Sequence, residues 1–196
     1  MEGARNPAYW HALWIALGVN LTMFVVEIAA GLSTRSVSLQ ADSLDFLGDT
    51  ANYGISLFVA GMALRNRAIA ALGKGLTMGL FGTWVLASSI WKAFAGTPPE
   101  PMTMGVVGFA ALAANALCFI LLSAHRSGDS NMRSAWLCSR NDLIGNCAVL
   151  ASAFGVARTG AAWPDVLVAA IMAALALQAA AVVVTHAHGE LAGAAK

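Results

Sequence analysis

Two segments each place a pair of metal-ligating side chains four residues apart within apolar sequence. In "SLQADSLDFLGD" the pair is Asp45 and Asp49, with Asp42 one turn before them; in "SAWLCSRNDLIGN" it is Cys138 and Asp142. On a helix, side chains four apart share a face, so each segment presents its two groups together. Three carboxylates and a thiolate form a four-ligand set that suits tetrahedral coordination of a divalent transition ion. Aspartate within hydrocarbon is costly, and an ionisable group placed there marks a functional site by default. Cys138 alone would read as a small buried hydrophobe; its spacing from Asp142 makes it a ligand candidate.

These pairs need elements that carry them into a membrane. The chain has 196 residues, 59% of them hydrophobic and 11% charged, with a mean hydropathy of +0.71. A water-soluble domain carries about a quarter charged residues, so the expected class is an all-α, multi-pass membrane protein. A net charge of +1 with no basic block argues against nucleic acid as a partner. Cys118, Cys138 and Cys147 show no disulfide or zinc-finger spacing. "MEGARNPAYW" lacks the pattern of a cleaved signal, so the first apolar run is expected to be retained.

With about 20 apolar residues per crossing, the sequence yields a bundle of six transmembrane helices, over roughly 10–32, 37–63, 72–95, 102–124, 132–157 and 164–186. The expected organisation is one transmembrane domain over 1–189 and a short cytoplasmic tail over 190–196. An N-terminus in the cytoplasm puts Arg5, Arg65, Arg67, Lys74, Arg126, Arg133 and Lys196 inside and leaves Arg35, Lys92 and Arg158 outside. That bias favours both termini in the cytoplasm. Asp49 then lies about 18 Å from the outer end of helix 2, and Asp142 about 15 Å from the inner end of helix 5. Both pairs fall near mid-membrane.

Other polar groups rank below these four. Asp42, Asn20, Asn141 and Asn146 are candidates to orient ligands or line the pathway, although interhelical hydrogen bonding explains the asparagines equally well. Glu27 is expected at the outer interface. Arg140 lies about 200° round the helix from both Cys138 and Asp142 and points away from the pair. Cys147, about 180° from Cys138, cannot join the site, and Cys118 is expected simply to pack. His186 and His188 read as part of a solvated helix end. Trp10, Trp91 and Trp163 sit where aromatic interface anchors belong.

"NLTMFVVEIAAGLSTRSVSLQADSLDFLGD" resembles the first two helices of the cation diffusion facilitators, "NMRSAWLCSRND" the start of their fifth, and "WPDVLVAAIMAALAL" their sixth. The resemblance implies export of divalent metal, chiefly zinc, from the cytoplasm in exchange for protons, by a homodimer in the cell membrane (the inner membrane of a bacterium). It assigns the intramembrane site to Asp45, Asp49, Cys138 and Asp142. Cys138 stands where the family usually has histidine, and a thiolate favours zinc, cadmium and other thiophilic ions over magnesium or calcium. Cobalt, iron(II) and manganese stay open. The cytoplasmic domain usual in the family does not follow Lys196, so dimerisation is expected through membrane helices.

Four ionised ligands would sum to about −4, which an empty low-dielectric site does not sustain, so protons are expected there when metal is absent. Metal binding expels them, which makes alternating access an antiport. The expected partners are the metal ion, protons, the lipid bilayer and a second copy of the chain. No prosthetic group is implied beyond the transported metal. The alternative is a membrane metal sensor or accessory subunit that binds without transporting. A haem or redox enzyme would need paired histidines within spans, whereas His11, His125, His186 and His188 all lie at span ends. No nucleophile–base pair or phosphate loop argues for an enzyme.

Overall fold

The computed structural model describes residues 7–59, 64–124 and 130–193, without the side chains at 59, 64, 130–139 and 193. Among the described residues six long helices make up the fold: α1 (Pro7–Thr34), α2 (Val37–Gly54), α3 (Leu64–Ala95), α4 (Pro101–Ser123), α5 (Ser130–Thr159) and α6 (Trp163–Gly193). A single π-helical turn, Ile55–Val59, continues α2. No strand occurs among the described residues. In hydrocarbon each backbone N–H and C=O must be satisfied within the chain, and a helix does that segment by segment.

Among the described residues four helices are long and apolar enough to cross a membrane: α1, α3, α4 and α6. Only about a quarter of their apolar stretches is buried. Leu80, Trp91, Phe94 and Met102 are all more than 70% exposed. Such a surface is tolerated only against lipid or a partner helix. The exposure of Trp91 and Trp163 fits interface anchoring.

α2 is the exception. Twelve of its 18 residues are buried, and it packs against α1, α3, α5 and α6. It is a central rod, and the polar residues it carries face protein. Leu39, Leu44, Val85, Met104, Val149 and Val156 form the larger apolar cluster beside it. Tyr53 and Leu57 join Leu13, Cys118 and Leu122 in a second. Gly31 permits the close approach of α1 to the start of α2, since a Cβ there would stand 2.8 Å from Gln40 Cγ and 3.1 Å from the Ser36 carbonyl oxygen.

The turn between α1 and α2 is tight. Arg35 adopts φ 59°, an uncommon conformation for a residue with a Cβ, and Ser36 caps α2 by accepting from the Leu39 amide at 3.2 Å. Asp165, in the first turn of α6, reinforces that cap. Its carboxylate accepts from Ser36 Oγ at 2.7 Å and from the amides of Val37 and Ser38, each at 3.0 Å. Lys92, near the end of α3, donates to the same carboxylate at 2.9 Å and also to the Arg35 carbonyl. The α1–α2 turn, the last turn of α3 and the first turn of α6 are thereby tied together at one end of the bundle, here termed the Arg35 end. At this end Glu100 caps α4; hydrogen bonds from Thr103 and from the Met102 amide hold its carboxyl below the usual glutamate range.

The bounds differ from the sequence expectation at two places. α3 begins at Leu64, two turns before 72, so Arg65 and Arg67 are helical and not in a loop. Hydropathy marks the part of a helix that crosses the membrane, while arginine, alanine and leucine extend the helix beyond it. α6 likewise runs to Gly193, so His186 and His188 sit on a helix that continues well past 186.

Candidate metal site

The two helices that carry the sequence-derived ligands, α2 and α5, are in contact, and Gly145 of α5 lies beside acids of α2. A Cβ at Gly145 would stand 3.6 Å from Asp45 Oδ2 and 4.0 Å from Asp42 Oδ1. With only hydrogen at that position, α5 lies against the carboxyl groups of α2. Asp142, nearly one turn before Gly145, faces Asp49 closely enough for a carboxyl–carboxyl hydrogen bond and also feels the charges of Asp45 and Asp42. The structure therefore brings Asp42, Asp45, Asp49 and Asp142 into one neighbourhood.

Asp42 and Asp49 are buried, Asp45 and Asp142 partly so. Cys138, the fourth expected ligand, lies on α5 but outside the described side chains. Among the described residues no three His, Cys, Asp or Glu side chains stand close enough together to hold a metal ion. The described part is a set of acids in which Asp142 Oδ2 and both oxygens of Asp42 find no hydrogen-bond donor.

The surroundings include groups that the sequence reading passed over. Tyr53, one turn beyond Asp49 and fully buried, donates its hydroxyl to Asp49 Oδ2 at 2.9 Å. Its spacing of four from Asp49 was the available signal. Lys74 reaches across from α3 to Asn52 Oδ1 and sets a positive charge near Asp49. That charge offsets part of the mutual repulsion of the acids.

The four polar candidates separate. Asn146 is buried, donates to the Asp142 carbonyl at 2.8 Å and leaves its Oδ1 without a partner. Asn20 is also buried, donating to the Ala16 carbonyl at 2.8 Å and towards Cys118 Sγ at 3.4 Å. Asn141 is exposed and points away from the acids. Asp42 belongs with the acids, and its neighbour across the helix interface is Glu27 of α1.

One expectation needs correction. Glu27 is not interfacial: it is fully buried, since α2 covers the face of α1 on which it sits. Cys118 packs in the core as expected, with Asn20 as a polar neighbour, and lies within electrostatic reach of Asp49 and Asp142. Cys147 is exposed. Arg140 is exposed as well.

Residues 13–187 match the family described as the cation efflux transmembrane domain. The chain belongs to that family. Among curated relatives it is 28% identical over 178 residues to the metal cation efflux system protein CzcD of Cupriavidus metallidurans, covering 82% of this chain and 55% of that one. It is 28% identical over 182 residues to the zinc transporter ZitB of Pectobacterium atrosepticum, covering 86% and 57%. A "Cadmium, cobalt and zinc/H(+)-K(+) antiporter" of Bacillus velezensis is 25% identical over 170 residues, covering 79% and 54%. The chain thus spans just over half the length of the curated relatives it matches. The family match places this domain in a membrane, and the relatives it matches are named as efflux and transport proteins.

Proposed function

We propose that this cation efflux domain moves a divalent transition-metal ion, zinc first, out of the cytoplasm in exchange for protons. In this reading Asp45, Asp49, Cys138 and Asp142 bind the ion in turn from each side. The observation that carries it is the meeting of α5 with the α2 acids beside Gly145, whose Cβ position lies within 4.0 Å of carboxyl oxygens of Asp45 and Asp42. Four acids in one protein interior cannot all stay ionised without a cation. Protons and a divalent metal are the two species that satisfy them, and each displaces the other. The printed names of the relatives, which include zinc and cadmium, agree with a site that joins a soft thiolate to hard carboxylates.

Both termini would be cytoplasmic, which makes the Arg35 end the outer one. The working unit would be a homodimer joined through membrane helices, for which the exposed apolar faces of α1, α3, α4 and α6 offer surface.

The test is metal flux into proteoliposomes under an imposed proton gradient, for zinc, cadmium, cobalt, manganese and iron(II). Wild type should move zinc only with the gradient, Asp49→Asn should not move it, and Cys138→His should shift the ion ranking away from cadmium. Gradient-independent flux, or full flux in Asp49→Asn, refutes the reading. Stoichiometric binding without flux of any ion would instead identify a sensor or accessory subunit.

A further inference from the structure

Every buried side-chain polar atom that lacks a partner among the described residues lies on α1, α2 or α5: on Asn20, Glu27, Asp42, Asp142, Asn146 and Ser152. Two of these groups are acids with no role in the four-ligand site. Glu27 and Asp42 are each 0% exposed, and none of their four carboxyl oxygens meets a donor. They come from different helices and face each other across the α1–α2 interface. A buried carboxylate without a donor costs several kcal/mol, so the pair is ionised only when a cation lies between its members and otherwise holds protons.

We propose that Glu27 and Asp42 form a second divalent-cation station, displaced toward the Arg35 end from the Asp45/Asp49/Cys138/Asp142 site. Asp42 lies about 7 Å below the start of α2, and Glu27 about 10 Å below the end of α1, at 1.5 Å per residue. The two acids are therefore at matching depth, whereas Asp49 is about 18 Å down. The two stations adjoin one another. Asp45 Oδ2 and Asp42 Oδ1 lie 3.6 and 4.0 Å from the point where a Gly145 Cβ would stand, with Met172 Cε of α6 at 3.5 Å as the third neighbour. Asn146, next along α5, is buried with its Oδ1 unpartnered, and that oxygen can only accept. A cation passing from Asp45 to Asp42 meets oxygen acceptors on both α2 and α5.

The ligand chemistry differs between the two stations. Two carboxylates balance the charge of one divalent ion and leave its remaining positions to water or backbone oxygens. Such a set lacks the thiolate's preference for soft ions and holds a transition ion more weakly. A weak oxygen station on the exit side would receive an ion that the tighter site releases. Its place on a path rests on the efflux reading; its existence as a binding site does not.

The experiment is equilibrium binding of Zn2+ to the purified full chain in detergent micelles, with the bound ions per chain counted by atomic emission. Wild type should bind two ions per chain. Glu27→Gln combined with Asp42→Asn should bind one, and Asp49→Asn combined with Asp142→Asn should retain one, which is lost when Glu27→Gln is added. Retention in that last pair supports the station even where flux assays defeat the efflux reading. A single ion in wild type, still bound by the Glu27→Gln/Asp42→Asn variant, overturns the proposal and leaves a carboxyl pair sharing a proton. Two ions in that variant also overturn it. Glu27→Asp keeps both charges and guards against misfolding of the amide variants. It should weaken the second ion by about tenfold or more while leaving the first unchanged, and unchanged affinity for both ions counts against the station.

Discussion

Removing Asp165 should loosen the Arg35 end more than any other single truncation there. In Asp165→Ala, Lys92 loses its ion-pair partner while its side chain remains 7% exposed. Ser36 Oγ and the amides of Val37 and Ser38 lose their acceptor at the same time. Breaking a buried ion pair by removing one partner costs about 3–5 kcal/mol, because the charge left behind is uncompensated. The three lost hydrogen bonds are buried as well, so the donors left unsatisfied add to that cost. We expect a loss of at least about 4 kcal/mol, nearly a thousandfold in the folding equilibrium. Lys92→Met should cost about half as much, since Asp165 keeps its three other donors. The double variant should then cost less than the sum of the singles by at least about 1.5 kcal/mol. The assay is reversible unfolding in mixed micelles against SDS mole fraction, followed by tryptophan fluorescence. A change below about 1 kcal/mol for Asp165→Ala, or strict additivity in the double variant, would show that the ion pair does not anchor α2.

Other predictions concern the acids. Tyr53→Phe removes the donor to Asp49 and should weaken Zn2+ binding by about tenfold at pH 7, read by titration calorimetry, while leaving the unfolding midpoint nearly unchanged. Gly145→Val puts branched methyls into the space beside Asp45 and Asp42; flux should fall to background with the helical circular dichroism retained, and wild-type flux would contradict a shared site. Metal binds only deprotonated ligands, so Zn2+ affinity should rise with pH across the range in which the acids are proton-filled. The slope of log affinity against pH should reach at least about one, and a flat profile would remove the basis for proton exchange.

How much of this was legible in the sequence depended on whether the signal was local. Asp45, Asp49 and Asp142 were legible because a carboxylate in an apolar run stands out and a spacing of four fixes its face. Six helices were legible because apolar runs separated by short polar, proline- and glycine-bearing connections mark them. The start of α3 was not, since Arg65 and Arg67 are polar and helical at once. Asp165 reads in sequence as an ordinary acid in a first helical turn. Its role depends on Lys92 and Ser36, which only the fold brings to it. Glu27 was misplaced because its burial depends on α2 covering α1. Cys118 had no visible neighbour because Asn20 lies 98 residues away in the chain. Cys138 rests on the sequence reading alone, as it lies outside the described side chains.

Among the described residues α2 and α5 are not among the four apolar helices, and that bears on how the molecule enters a bilayer. An aspartate at the centre of a helix costs about 2.5–3.5 kcal/mol to insert. For α2, Asp45 and Asp49 together oppose insertion by about 5–7 kcal/mol, with few apolar residues to offset them. α2 therefore cannot wait alone in lipid for its neighbours. It must be delivered with α1, whose apolar length holds it at the membrane, and be screened by α3 as synthesis proceeds. α5 enters under the same constraint between α4 and α6. Biogenesis thus builds the apolar frame first and the acid-bearing helices into it, so damage to an apolar helix should be felt as failed insertion of the polar one beside it.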